Sequence, residues 1–420
     1  MYVLTTDNSI LNTHLTNLNY VLLRMLSTRQ LFLLNTAQTS SFPRLLEVER
    51  AEGMYLYDTD GKIYMDLVSG FAVSNTGHRH PEVIRAIKDQ VDKYLHLTVY
   101  GEYIQAPQVK FAAKLSSILH SSLSSVYFVN SGAEATEGAM KLAKRFTGRS
   151  EIIACTNSYH GSTQGALSVM GNEYYKQAYR PLLPGIQFIK FNNTVDLKQI
   201  TADTAAVIIE TIQGEAGVRV PDGEYMHALR KRCDQTGTLL ILDEIQTGFG
   251  RTGKMFGFEH FNIIPDIILL AKGMGGGMPI GAFISSNEIM DVLKENPMLG
   301  HITTFGGHPV SCAAGLANLE VIIEENLIRD VPSKELLFRE CLQHPEIKEI
   351  RGKGLMLSIQ LDSFKQVENV SKRCVENGII IDWFLHCDTA LRIAPPLIIS
   401  ETEIRIACTV ILEAIELYKS

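Results

Sequence analysis

Leu239-Leu240-Ile241-Leu242-Asp243-Glu244-Ile245-Gln246-Thr247-Gly248 is the stretch on which the fold turns. Four apolar residues run without alternation and end in two acids. A strand with one wet face alternates, whereas a strand buried on both faces does not. Mostly parallel sheets covered by helices are built from strands of the second kind. Ligands of open α/β sheets bind at the carboxyl ends of their strands. A buried carboxylate there is costly unless a cation pairs with it. The plainer alternative is a strand that ends in water, its two acids marking an exposed turn.

The same pattern recurs on both sides. Downstream, Pro265-Asp266-Ile267-Ile268-Leu269-Leu270-Ala271-Lys272-Gly273-Met274-Gly275-Gly276-Gly277 ends an apolar run in Lys272. The lysine precedes the glycines, so this is not a Walker A loop. A lysine desolvated at a strand end loses its proton readily and attacks carbonyls; a solvated lysine beside a loop is the alternative. Upstream, the apolar Val126–Val129 runs into Asn130-Ser131-Gly132-Ala133-Glu134-Ala135, where Ser131 and Glu134 have capping-box spacing. A helix N-terminus with a glycine offers free N–H groups to a phosphate, though an ordinary capped helix reads the same way. A phosphate cradle, a buried acid and a buried lysine, each at a strand end, together suit pyridoxal phosphate. That cofactor needs a Schiff-base lysine, an acid on its pyridinium nitrogen and an anion site.

Around this centre, helical periodicity covers roughly Pro81–Leu95, Pro107–Leu119 and Ala133–Phe146. Further strands fit Glu151–Ala154, Ala205–Ile209 and Ile280–Ile284. Gly53–Leu67 reads as two short strands about an Asp60-Gly61 turn. Past residue 310 a long helix, Pro309–Glu325, leads to strands near Gly354–Gln360 and Ile379–Ile381 and a last helix near Thr402–Tyr418. The reading is an α/β chain: one large domain over residues 76–310, and a smaller α+β domain built from residues 25–75 and 311–420. Residues 1–24 are left outside the fold, as an extension upstream of a start at Met25.

Composition narrows the function. With 45% hydrophobic and 20% charged residues the chain is of ordinary globular make-up. There are 39 basic and 46 acidic side chains, a net charge of −7, which carries no overall footprint for nucleic acid. No run of about 18 apolar residues marks a membrane span. Seven cysteines, an odd number and without C-x-x-C spacing, argue against a disulfide framework and fit a cytoplasmic setting. His78-Arg79-His80 is read as a turn before Pro81 rather than a metal site, and no metal is expected. Gly250-Arg251-Thr252-Gly253 reads as a loop near a dimer interface, and Met274 and Met278 as packing.

The motifs resemble those of the class-III pyridoxal-phosphate aminotransferases, the ornithine, acetylornithine and 4-aminobutyrate aminotransferase group. The resemblance runs from about residue 40 to the end. It rests on Leu239–Ala282, with Asp243 and Lys272 29 residues apart, and on Glu210-Thr211-Ile212-Gln213-Gly214-Glu215-Ala216-Gly217. Thr303-Thr304-Phe305-Gly306-Gly307 and Leu391-Arg392-Ile393-Ala394-Pro395-Pro396 add to it. The resemblance implies that Lys272 bonds the cofactor and Asp243 pairs with its ring nitrogen. It also implies that Gln246 meets the ring hydroxyl and that Ile245 and Tyr159 cover the ring faces. Ser131, Gly132 and Ala133 would hold the phosphate. Thr304 would reach the phosphate across a homodimer interface, and His160 and Glu210 would complete the cofactor site. Arg392 would grip the carboxylate of 2-oxoglutarate or glutamate, Glu215 would neutralise Arg392 when that carboxylate is missing, and Phe71 would shape the donor pocket. The implied partners are a small amine donor and a 2-oxo acid acceptor. One departure stands out. Many members of the family carry an arginine two residues after the histidine of the Tyr/Phe-His-Gly motif, where this chain has Ser162. That opens the donor choice to a diamine. Racemases, epimerases and decarboxylases share the scaffold, and a catalytically inactive binding homologue is the remaining alternative.

Overall fold

The computed structural model describes residues 26–99 and 101–419. The proposed extension at 1–24 and the start at Met25 lie outside them. By their contacts the described residues divide into a small unit, up to residue 51 with 56–63, and a large one, residues 52–55 with those from 64 onward. In the small unit a helix spans Thr28–Asn35, started by a capping box in which Ser27 and Gln30 exchange hydrogen bonds. The expected Asp-rich turn is there too. Asp58 Oδ1 accepts from the N–H groups of Asp60 and Lys62, and Gly61 supplies the positive φ.

The large unit is built on a seven-stranded sheet. Its strands are β1 (Ser125–Val129), β2 (Glu151–Cys155), β3 (Ile186–Ile189), β4 (Thr204–Glu210), β5 (Leu239–Asp243), β6 (Ile267–Leu270) and β7 (Gly281–Ser285). Their order is β1-β7-β6-β5-β4-β2-β3. The pairs β6/β5, β5/β4, β4/β2 and β2/β3 are parallel; β7 runs antiparallel to both β1 and β6. Strands β4, β5 and β6 are buried at every residue, as their unbroken apolar runs predict. Helices spanning Gly132–Thr147 and Gly223–Thr236 belong to the two separate apolar cores, one on each face. This is the mostly parallel α/β sheet expected from the sequence.

A third core gathers around a four-stranded sheet of Glu349–Lys353, Met356–Gln360, Ala390–Ile393 and Asp382–Trp383, covered by helices Val331–Cys341, Phe364–Glu376 and Glu401–Lys419. Ile379–Ile380 leaves that sheet to pair in parallel with Met65 and Asp66. The sequence reading expects one strand at 354–360; the chain makes a hairpin there, because Gly354 turns it at φ +60°.

One local conformation has no counterpart in the sequence reading. Ser69, Gly70, Phe71 and Ala72 all have positive φ, from 48° to 65°, and form a single left-handed helical turn. Ala72 N donates to Val68 O and Val73 N to Ser69 O, as in an ordinary helix of the opposite hand. Left-handed geometry costs each non-glycine residue roughly 1–2 kcal/mol, so tertiary contacts must hold it. Asp66 Oδ1 accepts from the N–H groups of Val68 and Ser69, and Ser69 Oγ donates to Ala394 O.

All seven cysteines are unbridged. Among the described residues no helix is long and apolar enough to cross a membrane, and no group of three or more His, Cys, Asp and Glu could hold a metal. His78 instead pairs with Asp66 and His80 with Glu325, just before the helix opened by Pro81.

Candidate active site

Strand register brings the chemistry together. Asp243 lies opposite Glu210 across β5 and β4, and opposite Leu269 across β5 and β6. Lys272 follows the end of β6, and Tyr159 and His160 follow the end of β2. The helix that begins at Gly132 follows β1. These carboxyl ends share one side of the sheet, and a cavity of about 510 Å³ opens there. Ser131, Gly132, Ala133, Tyr159, His160, Glu210, Asp243, Ile245, Gln246 and Lys272 all line it.

Asp243 is buried and both its oxygens are engaged. Oδ1 accepts from Ile245 N at 3.0 Å, and Oδ2 stands 2.7 Å from His160 Nδ1. With its proton on Nδ1, His160 donates to Asp243. Its other nitrogen, Nε2, is buried with no hydrogen-bond partner. Glu210 Oε1 accepts from Gly214 N and Oε2 from Tyr159 N. Burial, reinforced by the nearby Asp243 charge, pushes Glu210 up to about 7 against the pull of His160 and those N–H groups. Tyr159 is half-buried, with its hydroxyl 3.3 Å from Ser162 Oγ.

Lys272 sits at φ +46°, a left-handed conformation for a residue with a Cβ. Such strain persists where surroundings over-determine the backbone. Among the described residues none gives its Nζ a hydrogen bond. Burial lowers its pKa to about 8; Arg392 pushes the same way, while Glu215, Asp243 and Glu210 oppose it. The lysine therefore keeps a useful fraction of neutral amine near neutral pH.

The helix start departs from the expected capping box. Ser131 Oγ accepts from Glu134 N at 3.2 Å, but the Glu134 carboxylate reaches back past Ser131 to the N–H and side-chain amide of Asn130. First-turn N–H groups at Gly132 and Ala133 have no partner within the helix, and both residues line the cavity. Two glycines allow the close packing here. A Cβ on Gly132 would lie 2.7 Å from Ile245 Cδ1; one on Gly161, at φ +125°, would lie 2.6 Å from Ala133 Cβ.

Beside this cavity Glu215 and Arg392 form a bidentate pair, Nη1 to Oε1 at 3.0 Å and Nη2 to Oε2 at 2.8 Å. Gln246 Nε2 and Leu385 N also donate to that carboxylate, each at 3.0 Å. Burial alone pushes Glu215 up, but the Arg392 charge and its hydrogen bonds overcome it and hold the acid at about 2. Arg392 stands on strand Ala390–Ile393 with two rings against it, Phe384 at 4.4 Å and Phe71 at 5.1 Å from Cζ. Thr304 is the one predicted residue set apart. It is exposed and outside this chain's cavity, while its neighbour Thr303 accepts from Asn130 at 3.0 Å.

Sequence reasoning missed part of the lining. Val73, Asn130, Thr247, Met278 and Pro279 also face the cavity. Met278 was expected as packing; only Met274 is fully buried. Arg251, expected on an interface loop, is wholly buried within the chain itself.

The aminotransferase class-III family model matches residues 36–415. The chain belongs to the class-III aminotransferases. This aminotransferase is 40% identical over 367 residues to an acetylornithine aminotransferase of Caldanaerobacter subterraneus subsp. tengcongensis, covering 84% of this chain and 91% of that one. It is 42% identical to one from Methanocaldococcus jannaschii, covering 84% and 89%. Among solved structures, the ornithine aminotransferase of Toxoplasma gondii superposes with a TM-score of 0.86 at 30% identity, covering 96% of this chain and 98% of that one. A transaminase from the marine bacterium Virgibacillus gives 0.87 at 28% identity, covering 93% and 98%. The enzyme is a pyridoxal-phosphate-dependent aminotransferase, and its cavity fits that cofactor. It combines a lysine without a hydrogen bond, a buried carboxylate, free helix N–H groups and an orphaned buried His160 nitrogen.

Proposed function

We propose that this aminotransferase moves an amino group from an ω-amine to 2-oxoglutarate by a ping-pong route. The donor class is ornithine-, acetylornithine-, 4-aminobutyrate- or diamine-like. The observation that carries the reading is the Arg392–Glu215 pair, whose charges both act on Lys272. A bidentate guanidinium is matched to a carboxylate, and Glu215 is a carboxylate already in place to release it. One half-reaction then uses Arg392 free to bind the oxo acid, and the other uses it neutralised.

Pyridoxal phosphate supplies the electron sink when bound. The chain's own residues do the rest. Lys272 Nζ would take the proton from the amine-bearing carbon of the donor and pass it on to the bound cofactor, for which a pKa near 8 suits a base at neutral pH. Asp243 keeps the ring nitrogen protonated by charge pairing, and His160 keeps Asp243 oriented. Ser131, Gly132 and Ala133 hold the phosphate at the helix N-terminus. Ile245 and Tyr159 would cover the ring and Gln246 would reach its hydroxyl, while Glu210 fixes the Tyr159 backbone. Phe71 shapes the donor pocket. The working unit is a cytoplasmic homodimer in which Thr304 reaches the partner's site. Ser162 brings a hydroxyl, not a cation, beside Tyr159, which favours a donor without a carboxylate at that spot.

The test is to mix holoenzyme with single amines and follow the cofactor absorption. Ornithine, N-acetylornithine, 4-aminobutyrate, putrescine, lysine and glutamate form the panel. Conversion to the pyridoxamine form, reversed by 2-oxoglutarate, names the donor. No conversion with any of them refutes the proposal and moves racemisation or decarboxylation to the front.

A further inference from the structure

Arg251 forms no ion pair with a carboxylate among the described residues, yet its guanidinium is fully buried. Nη1 donates to Leu355 O at 3.0 Å and to Pro395 O. Nη2 donates to Asn75 Oδ1 at 2.5 Å and to Ser69 Oγ at 3.4 Å. Two of these partners flank the Arg392 site. Pro395 follows it by three residues, and Ser69 opens the left-handed turn that carries Phe71. Ser69 Oγ also donates to Ala394 O, and Leu397 N to Asn75 O, so turn and strand exit are laced together around one guanidinium.

We propose that Arg251 is a positioning residue for the carboxylate end of the oxo-acid substrate, acting by clamping the Ser69–Ala72 turn so that Phe71 stays on the face of Arg392. The inference rests on the reading of Arg392 as the carboxylate site. Phe71 is 47% exposed, so burial does not fix its ring. The backbone turn fixes it, and three of that turn's four residues have a Cβ that disfavours the conformation. A planar five-donor fork reaches two carbonyls and two side chains at once, where an ammonium does not. The ring in turn covers one side of Arg392, leaving its donor edge to the carboxylate.

The experiment loads protein with pyridoxamine phosphate and follows its single turnover with 2-oxoglutarate. Each variant then gives a limiting rate and a half-saturation concentration. In Arg251→Lys the half-saturation concentration should rise about tenfold, with the limiting rate within about threefold of wild type. Phe71→Leu should do the same without lowering the melting temperature. The double variant should be no worse than about twofold beyond either single one, since both act through one contact. Equal loss of limiting rate with half-saturation unmoved would mean that Arg251 is structural only. Fully additive effects would mean that it does not act through Phe71. Either result overturns the inference. Should Arg251→Lys not fold, Ser69→Ala replaces it in the cycle with the same expectations. Arg392→Lys is the control: if it leaves half-saturation unchanged, the carboxylate-site reading itself has failed.

Discussion

The ionisation of Lys272 can be read directly in the cofactor-free protein. Burial lowers its pKa from 10.5 to about 8. At about pH 7.5 an amine with that pKa is roughly one-quarter neutral, against roughly one part in a thousand for an ordinary lysine. Its reactivity toward a small acylating agent should therefore exceed that of an unburied amine by up to about 200-fold at that pH, access permitting. Trace labelling with acetic anhydride from about pH 6 to about pH 11, with a free amine as internal standard and mass spectrometry of the Lys272 peptide, gives the curve. Its inflection should lie near 8. Glu215 is the largest charge holding that pKa up, and Arg392 pushes it down. Glu215→Gln removes the first and leaves the second opposed only by Asp243 and Glu210, so its inflection should fall below the wild-type one. An inflection near 10.5 in the wild type, or an upward move in Glu215→Gln, would refute the account of burial and charge around this lysine.

Other outcomes follow from the same geometry. Lys272→Ala should abolish turnover while cofactor binding persists without a covalent link, checked by dialysis and assay; Asp243→Ala should slow turnover strongly without emptying the site. Gly161→Ala places a Cβ 2.6 Å from Ala133 Cβ at φ +125°, and should cost about 1–3 kcal/mol in denaturant melts and weaken cofactor retention. Glu244 is fully buried and accepts from Thr211, Thr247, Gly257 and Phe258, and burial raises its pKa to about 7. The folded protein then holds a proton that the unfolded chain releases, so this stabilisation is full below 4.5 and lost as pH rises through about 7. Glu244→Gln should remove that part of the pH dependence in denaturant melts.

The fold was legible where burial leaves a simple mark. Val126–Val129, Leu239–Leu242 and Ile267–Leu270 lie within strands of the observed sheet because doubly covered strands must be apolar throughout. Lys272 and Asp243 stood out because each interrupts such a run. Arg392 carried no strand signal: its strand is four residues long and has a buried guanidinium at its centre, so local apolarity fails where an ion pair across 177 positions provides the compensation. The left-handed turn was illegible for a related reason. Of Ser69, Gly70, Phe71 and Ala72 only the glycine hints at positive φ, and the contacts that hold the rest come from Asp66, Arg251 and Ala394. The His160–Asp243 contact spans 83 positions and leaves no mark in either segment.

The reversed strand β7 sets an order on the assembly of the molecule. Strand β1, which delivers the helix start at Gly132, lies at the edge of the sheet and, among the described residues, pairs only with β7. Val129 is matched to Gly281, so the strand waits about 150 residues for its partner to emerge during synthesis. The acid at 243 and the lysine at 272 are translated before that partner exists. A nascent chain thus carries Asp243 and Lys272 before the helix start at Gly132 is anchored. Within the seven-stranded sheet β7 is the last strand to be added, and only then can β1 and the helix it delivers be anchored.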